Sequence, residues 1–383
     1  MPVLADGTVT LRAYRRQDIP AMVEQCRDEQ MQRWTRVPSP YQARDARAYI
    51  DSRAVEWKSG RELSFAIATS NGYAGNVDLR PDGAGAADVG YALHPAARGR
   101  GVMSRALRLA LGWGFEVLDL DVAHWRAQVG NWAGRRVAWA VGFRVEGTVR
   151  ELLVHRDGRC DAWVGSLRRG EVFAPTHPWY EPAILTGRGV RLRPHRDDDL
   201  AAIVEACNDE TTRHWLVDIP VPYTESDARI HRESVLADHA GGSAIYWAVA
   251  DASDRMLAEI GLFGLRAGVS QAGEIGYWTH PGARCRGVMT EAARLVARHA
   301  LLPREDGGLG LSRVQIRAAT GNLASQRVAL KAGFQPTGRD RQAERLRDGS
   351  MDDDLRYDLV AADLERCAED RPDEGRRRGG RRR

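Results

Sequence analysis

The chain has 383 residues, 43% hydrophobic and 28% charged, with a formal net charge of +4 at neutral pH. Residues 371–383 hold seven Arg against one Asp and one Glu, so the rest of the chain carries about −1 and a global basic surface for nucleic acid is excluded. The five cysteines, Cys26, Cys160, Cys207, Cys285 and Cys367, stand singly, with no CxxC and no His at ligand spacing, so neither a disulfide framework nor a metal site is indicated.

The start, Met-Pro-Val-Leu-Ala-Asp-Gly, has no basic region before an apolar core, and no apolar run approaches membrane-spanning length. A cytoplasmic protein with no membrane partner is expected. Thr8–Ala13 reads as an opening strand, and Asp18 with Ile19-Pro20 as a helix start feeding Ala21–Arg27. Leu63–Thr69 and Gly75–Arg80 read as strands around an Asn71-Gly72 turn, followed by Asp88–Leu93. Arg98–Met103, RGRGVM, is a basic glycine loop. Beyond it Ala106, Leu107, Ala110, Leu111 and Phe115 lie at helical spacing in Ser104–Val117. Val122–Gln128 is a strand, Asn131 opens a helix to Gly142-Phe143, and Leu152–His155 with Ala162–Leu167 forms a closing hairpin.

The same unit then recurs. Leu192-Arg193 repeats Leu11-Arg12, Asp199 repeats Asp18, and Trp215 repeats Trp34. Pro-Val-Pro-Tyr223 repeats Pro-Ser-Pro-Tyr41, and Arg284–Met289, RCRGVM, repeats the glycine loop. Asn322–Phe334 repeats Asn131–Phe143. A period this long is a duplicated globular domain rather than a solenoid, because each copy can bury its own core. The expected organisation is α+β, with a mixed central sheet flanked by helices in each domain. The domains span 1–175 and 187–366, joined by a Pro-rich linker over 176–186. An Arg/Gly-rich tail, 367–383, reads as a solvated disordered end, the one place where an RNA or acidic-partner contact is considered.

A glycine loop between strand and helix lets backbone N–H groups converge on a phosphate. The strand-loop-helix order, the Arg-x-x-Gly-x loop, the later Asn-x-x-Ser and the closing Gly-Phe together resemble the GNAT N-acyltransferase superfamily. Within it the likeness is to the ribosomal-protein N-terminal alanine acetyltransferase type. The resemblance covers both domains almost end to end and implies acetyl-coenzyme A, or another acyl-coenzyme A, as cofactor. The implied contacts in the second domain are Trp278, Thr279, Arg284, Arg286, Gly287, Val288, Met289, Thr290 and Asn322. In the first they are Arg98, Arg100, Gly101, Val102, Met103, Ser104 and Asn131. One departure is that Met103 and Met289 stand where the family has Gly or Ala, facing either cofactor or core.

Acyl transfer to an amine needs a base for the ammonium proton, polarisation of the carbonyl and an acid for the leaving thiolate. By the resemblance, Ser325 of Asn-x-x-Ser is the acid and Glu344 the base, while backbone N–H near the end of Glu274–Thr279 polarises the carbonyl. In the first domain Gly134 and Leu153 replace that pair, so it reads as a catalytically degenerate copy; Glu151 and His155 are alternative bases acting through water. By the resemblance, Trp34, Trp57, Trp215 and Trp247 lie in regions that border the acceptor cleft, although a tryptophan is more often a core side chain than a ligand platform. The expected activity is N-acyl, foremost N-acetyl, transfer to a primary amine of a small molecule or peptide. Two alternatives stand beside it: a ribosomal-protein N-terminal acetyltransferase, and a non-catalytic acyl-coenzyme A or amine sensor with an RNA-contacting tail.

Overall fold

The computed structural model describes residues 1–156, 158–265 and 271–364, and the chain divides into two compact units, Met1–Thr176 and His177–Arg383. The tail expected over 367–383, with Cys367, lies outside the described residues.

In the first unit β1 (Leu4–Ala5) and β2 (Thr10–Arg12) precede α1 (Ile19–Arg27), α2 (Glu29–Trp34) and α3 (Ala43–Ser59). A meander follows: β3 (Leu63–Thr69), β4 (Gly72–Pro81) and β5 (Ala86–Leu93). Next come α4 (Val102–Val117), β6 (Val122–Gln128), α5 (Trp132–Val141), β7 (Arg144–His155) and β8 (Gly158–Arg168). The strands form one sheet in the order β1-β2-β3-β4-β5-β6-β8-β7, in which the β5/β6 pair is parallel and the others antiparallel.

The second unit repeats this plan. It runs β9 (Leu185–Gly187), β10 (Val190–Arg193), α6 (Leu200–Asn208), α7 (Glu210–Trp215), α8 (Glu225–Gly241), β11 (Ala244–Ala250), β12 (Met256–Phe263) and β13 (Ala272–Thr279). It closes with α9 (Val288–Leu301), β14 (Arg313–Ala319), α10 (Leu323–Ala332), β15 (Gln335–Arg345) and β16 (Met351–Val360). Its sheet order is β9-β10-β11-β12-β13-β14-β16-β15, and β13/β14 is its parallel pair.

The helix after each glycine loop anchors the core. In α4, Ala106, Leu107, Ala110 and Leu111 are fully buried against Phe65, Val77 and Leu79 of the sheet, and a buried Leu contributes about 1.5–3 kcal/mol. In α9, alanines at 292, 293, 297 and 300 are fully buried in the corresponding core. The closing Gly-Phe is a helix stop. Gly142 adopts φ +101°, and a Cβ there would lie 2.7 Å from the Val172 carbonyl oxygen.

Four segments differ from the sequence reading. Helices α3 and α8 have no strand-or-loop signal against them, but their apolar positions are too sparse to mark a stripe: in α3 only Ala46 is buried. The last hairpin begins at Arg144, not at residue 152, because β7 is an edge strand exposed along most of its length and shows no alternation. The proline-rich segment is docked on the second unit from Tyr180 onward. Tyr180 N–H donates to the His239 carbonyl at 2.9 Å, Trp247 Nε1–H donates to Ala183 O at 2.9 Å, and Leu185–Gly187 is strand.

Candidate active site

The parallel strands of the second unit are paired only at Ala272↔Arg313, Gly273↔Val314 and Glu274↔Gln315. Beyond that register β13 and β14 part. A cavity of about 980 Å³ opens there, lined by Tyr277, Trp278 and Thr279 from β13, by the loop and first turn of α9, and by Asn322 and Ser325. Arg284, Arg286, Gly287, Val288, Met289 and Thr290 all reach it, so every second-domain cofactor residue named from the sequence is brought to one cavity.

Gly287 caps α9 at φ +76° and Gly101 caps α4 at φ +70°, a left-handed conformation that an L side chain adopts only with strain. It leaves the first N–H groups of each helix without intrahelical acceptors, facing the loop. Cys285 shares the left-handed conformation at φ +60°, its thiol exposed at the cavity wall, where the first unit has Gly99.

Arg284 is a strut. It pairs with Asp209, the N-cap of α7, and donates to Thr212 Oγ1 at 2.8 Å. Burial pushes the Asp209 carboxyl up, but the guanidinium and the Thr212 N–H outweigh it and hold the group low. Arg98 repeats the arrangement on Asp28, N-cap of α2. Cationic charge at the cavity therefore comes from other groups as well: Arg286, Arg294, Arg327 and Lys331 line it. Met103 and Met289 are 2% and 5% exposed and belong to the cores, so the side chains that depart from the family pattern point inward.

Asn322 caps α10, its Oδ1 accepting from Ser325 N–H at 3.1 Å. Ser325 Oγ lies 3.0 Å from the Tyr277 hydroxyl. Burial pushes the Tyr277 phenol up to about 12, so it stays a protonated donor at neutral pH. The sequence signal for Tyr277 is the repeated Gly-Tyr of Asp88–Pro95 and Glu274–Pro281. In the first unit Asn131 Oδ1 accepts from Gly134 N–H at 3.0 Å, and the matching Tyr91 hydroxyl donates to the Gly134 carbonyl at 2.7 Å.

Glu344 does not line this cavity. It stands opposite Asp352 across the β15/β16 ladder, on the face that carries Arg317 and Asp354, whereas Leu355 and Tyr357 point to the core beneath α10. A bulge presents it. The register skips from Asp340 to Glu344, Gln342 takes φ +50°, and its N–H donates to Asp353 Oδ1 at 2.7 Å. The first unit has the same bulge, with Glu151 at φ +51° donating to Asp161 Oδ1 at 2.9 Å, and it presents Leu153. Burial and the neighbouring Asp354 raise the Glu344 carboxyl above the ordinary range, with Arg317 opposing.

The first unit's cavity, about 660 Å³, is lined by Asp6, Arg100, Gly101, Ser104, Arg105 and Arg108 among others, and includes neither Tyr91 nor Gly134. Val102 is buried in the core beside Met103. Of the four tryptophans, Trp215 lines the larger cavity and Trp34 packs 3.5 Å from where a Cβ of Gly130 would lie. Trp57 and Trp247 are core side chains instead: Trp57 stacks on Trp113, and Trp247 is fully buried. Their apolar surroundings, invisible in spacing, decide that.

A twice-built α+β unit with a glycine loop at parted parallel strands defines an acyltransferase-type class. The acetyltransferase (GNAT) domain family matches residues 8–144 and again 190–335, and the chain belongs to that family, whose cofactor is acetyl-coenzyme A. Among its relatives, "Probable N-acetyltransferase YjcK" of Bacillus subtilis is 36% identical over 85 residues, 22% of this chain. That match spans 44% of the relative's own length. RimJ from Mycobacterium smegmatis, solved with a coenzyme A disulfide, is 18% identical over 49% of this chain and 92% of its own, with a TM-score of 0.43. A GNAT-family acetyltransferase from Bacillus anthracis is 18% identical over 44% of this chain and all of its own, with a TM-score of 0.40. Among the described residues no helix is long and apolar enough to cross a membrane.

Proposed function

We propose that the second unit is an acyl-coenzyme A-dependent N-acyltransferase, acting foremost as an N-acetyltransferase on a primary amine of a small molecule or peptide. The observation that carries this reading is the contrast between two copies of one framework. The same cap presents Ser325 or Gly134, and the same bulge presents Glu344 or Leu153. Only the second unit has a group able to move a proton at each place.

The cavity suits the cofactor, with a glycine-capped helix end and cations for the phosphates and parted strands for the pantetheine. Bound there, acetyl-coenzyme A supplies the activated acyl group. Glu344 takes the proton from the acceptor ammonium on one face of the sheet, and burial and Asp354 move its carboxyl in the direction that strengthens it as a base. Ser325 donates a proton to the leaving thiolate on the other face and is resupplied through the Tyr277 hydroxyl at 3.0 Å. The first unit, with Gly134 and Leu153, is a non-catalytic partner.

The test is thiol release from acetyl-coenzyme A with a panel of amines and an alanine-terminated peptide, alongside native mass spectrometry. Gly287→Asp is expected to abolish turnover, whereas Gly101→Asp leaves it. Turnover that instead requires Gly101 sinks the assignment to the second unit. Ser325→Ala is expected to lower kcat by about 10²-fold, and Tyr277→Phe by less, each with stability changed by about 1 kcal/mol. Equal rates in Ser325→Ala and the parent would remove the acid role.

A further inference from the structure

Asp354 is out of place for a strand residue. Its side chain is 2% exposed, its Oδ2 has no hydrogen-bond partner among the described residues, and Arg317 Nη1 lies 3.6 Å from it. A buried carboxylate without hydrogen bonds on one oxygen costs free energy, so a role outside stability has to be sought.

The register puts it on the face that carries Glu344. Asp354 stands opposite Asp340 on β15 and Ala319 on β14, one side-chain step from Asp352, which faces Glu344. Arg317 lies on the same face and bonds Glu274 through Nε at 3.1 Å. Other charges nearby are tied elsewhere. Asp352 accepts from Thr320 and from Gly321 N–H, Arg356 pairs with Asp340 at 3.2 Å, and Arg339 pairs with Asp353 at 2.6 Å. Asp218 approaches from the loop after α7, which Arg347 holds by bonding the carbonyls of Leu216 and Ile219.

The first unit shows which of these groups go with Glu344. It keeps the framework pair, Arg126 with Asp88, in the places of Arg317 and Glu274. Where Glu344 becomes Leu153, Asp354 becomes Ala162 and Asp340 becomes Val149. The carboxylates are present together or absent together.

We propose that Asp354 and Arg317 are positioning residues for Glu344, a buried negative charge and a half-exposed positive one that act on it in opposition without touching the substrate. This rests on the reading of Glu344 as the base. The carboxylate of Asp354 disfavours a second negative charge at Glu344, and Arg317 limits that effect, consistent with the direction in which Glu344 is moved.

The test does not need the acceptor. The full chain, labelled with glutamate carrying ¹³C at the carboxyl, is titrated by NMR, and the Glu344 signal is identified by its loss in Glu344→Gln. At the pH where the parent carboxyl is half ionised, Asp354→Asn is expected to raise the ionised-to-protonated ratio about threefold, and Arg317→Met to lower it about threefold. Glu274→Gln, a change at a partly exposed site, moves it the same way as Asp354→Asn and serves if that variant fails to fold. Unmoved midpoints, or shifts of the same sign in the Asp354 and Arg317 variants, overturn the proposal. Unchanged acyl transfer in Glu344→Gln would instead remove the base reading, leaving the titration result in place.

Discussion

Glu344→Gln is expected to lower acyl transfer by about 10²–10⁴-fold, the range for removing a positioned general base, while acetyl-coenzyme A binding stays unchanged because Glu344 is not part of the cofactor cavity. The pH dependence supplies a second readout. A base works deprotonated, so in the parent the rate falls as pH drops through the Glu344 midpoint. Because burial and Asp354 raise that midpoint, the fall begins at higher pH than for an ordinary glutamate. In the Gln variant that limb disappears and the residual rate is flat over the same window. A variant that keeps both rate and limb would assign the base to another group.

Asp199→Ala carries the largest expected cost in stability, about 3–5 kcal/mol in the second unit, read as a fall in that unit's own calorimetric transition. Arg193 is 1% exposed, and all five of its guanidinium N–H groups are used: two on Asp199 at 2.8 Å, one on Asp254 at 2.8 Å, and two on the carbonyls of Pro194 and Asp254, each at 3.0 Å. Asp199 also accepts from Arg196 N–H at 2.7 Å, fixing the entry to α6. Truncating it strands a buried cation. Asp18→Ala acts on Arg12 in the same way but is expected to cost less, since Arg12 is 7% exposed and has no second carboxylate among the described residues. Equal losses at the two sites would show that the Asp254 contacts contribute little.

Much of this was legible in the amino-acid order. The paired glycine loops, Asn131 and Asn322, Gly134 against Ser325 and Leu153 against Glu344 follow from laying one half on the other, because a duplicated core forces the same caps and turns twice. What escaped was set by three-dimensional neighbours. Tyr277 meets Ser325 Oγ, at 3.0 Å, only once α10 is in place. The parting of β13 and β14 is a property of register, with no residue type to announce it. Gln335–Arg345 hides its strand because most of its positions are exposed on both faces, so a pattern of buried and exposed positions never forms. Asp354 is the last of three consecutive aspartates, and only burial separates it from the other two.

The strut from Arg98 to Asp28 and from Arg284 to Asp209 bears on how such chains are counted. The arginine that opens each loop is held by the cap of a neighbouring helix, whatever stands at the proton-transfer positions. Its presence therefore records how the loop is braced. If the second unit alone is catalytic, as proposed, a census that tallied catalytic centres by this signature would assign two to every molecule of the protein and halve the rates normalised to that tally; the residues three places after Asn131 and Asn322 are the ones to count.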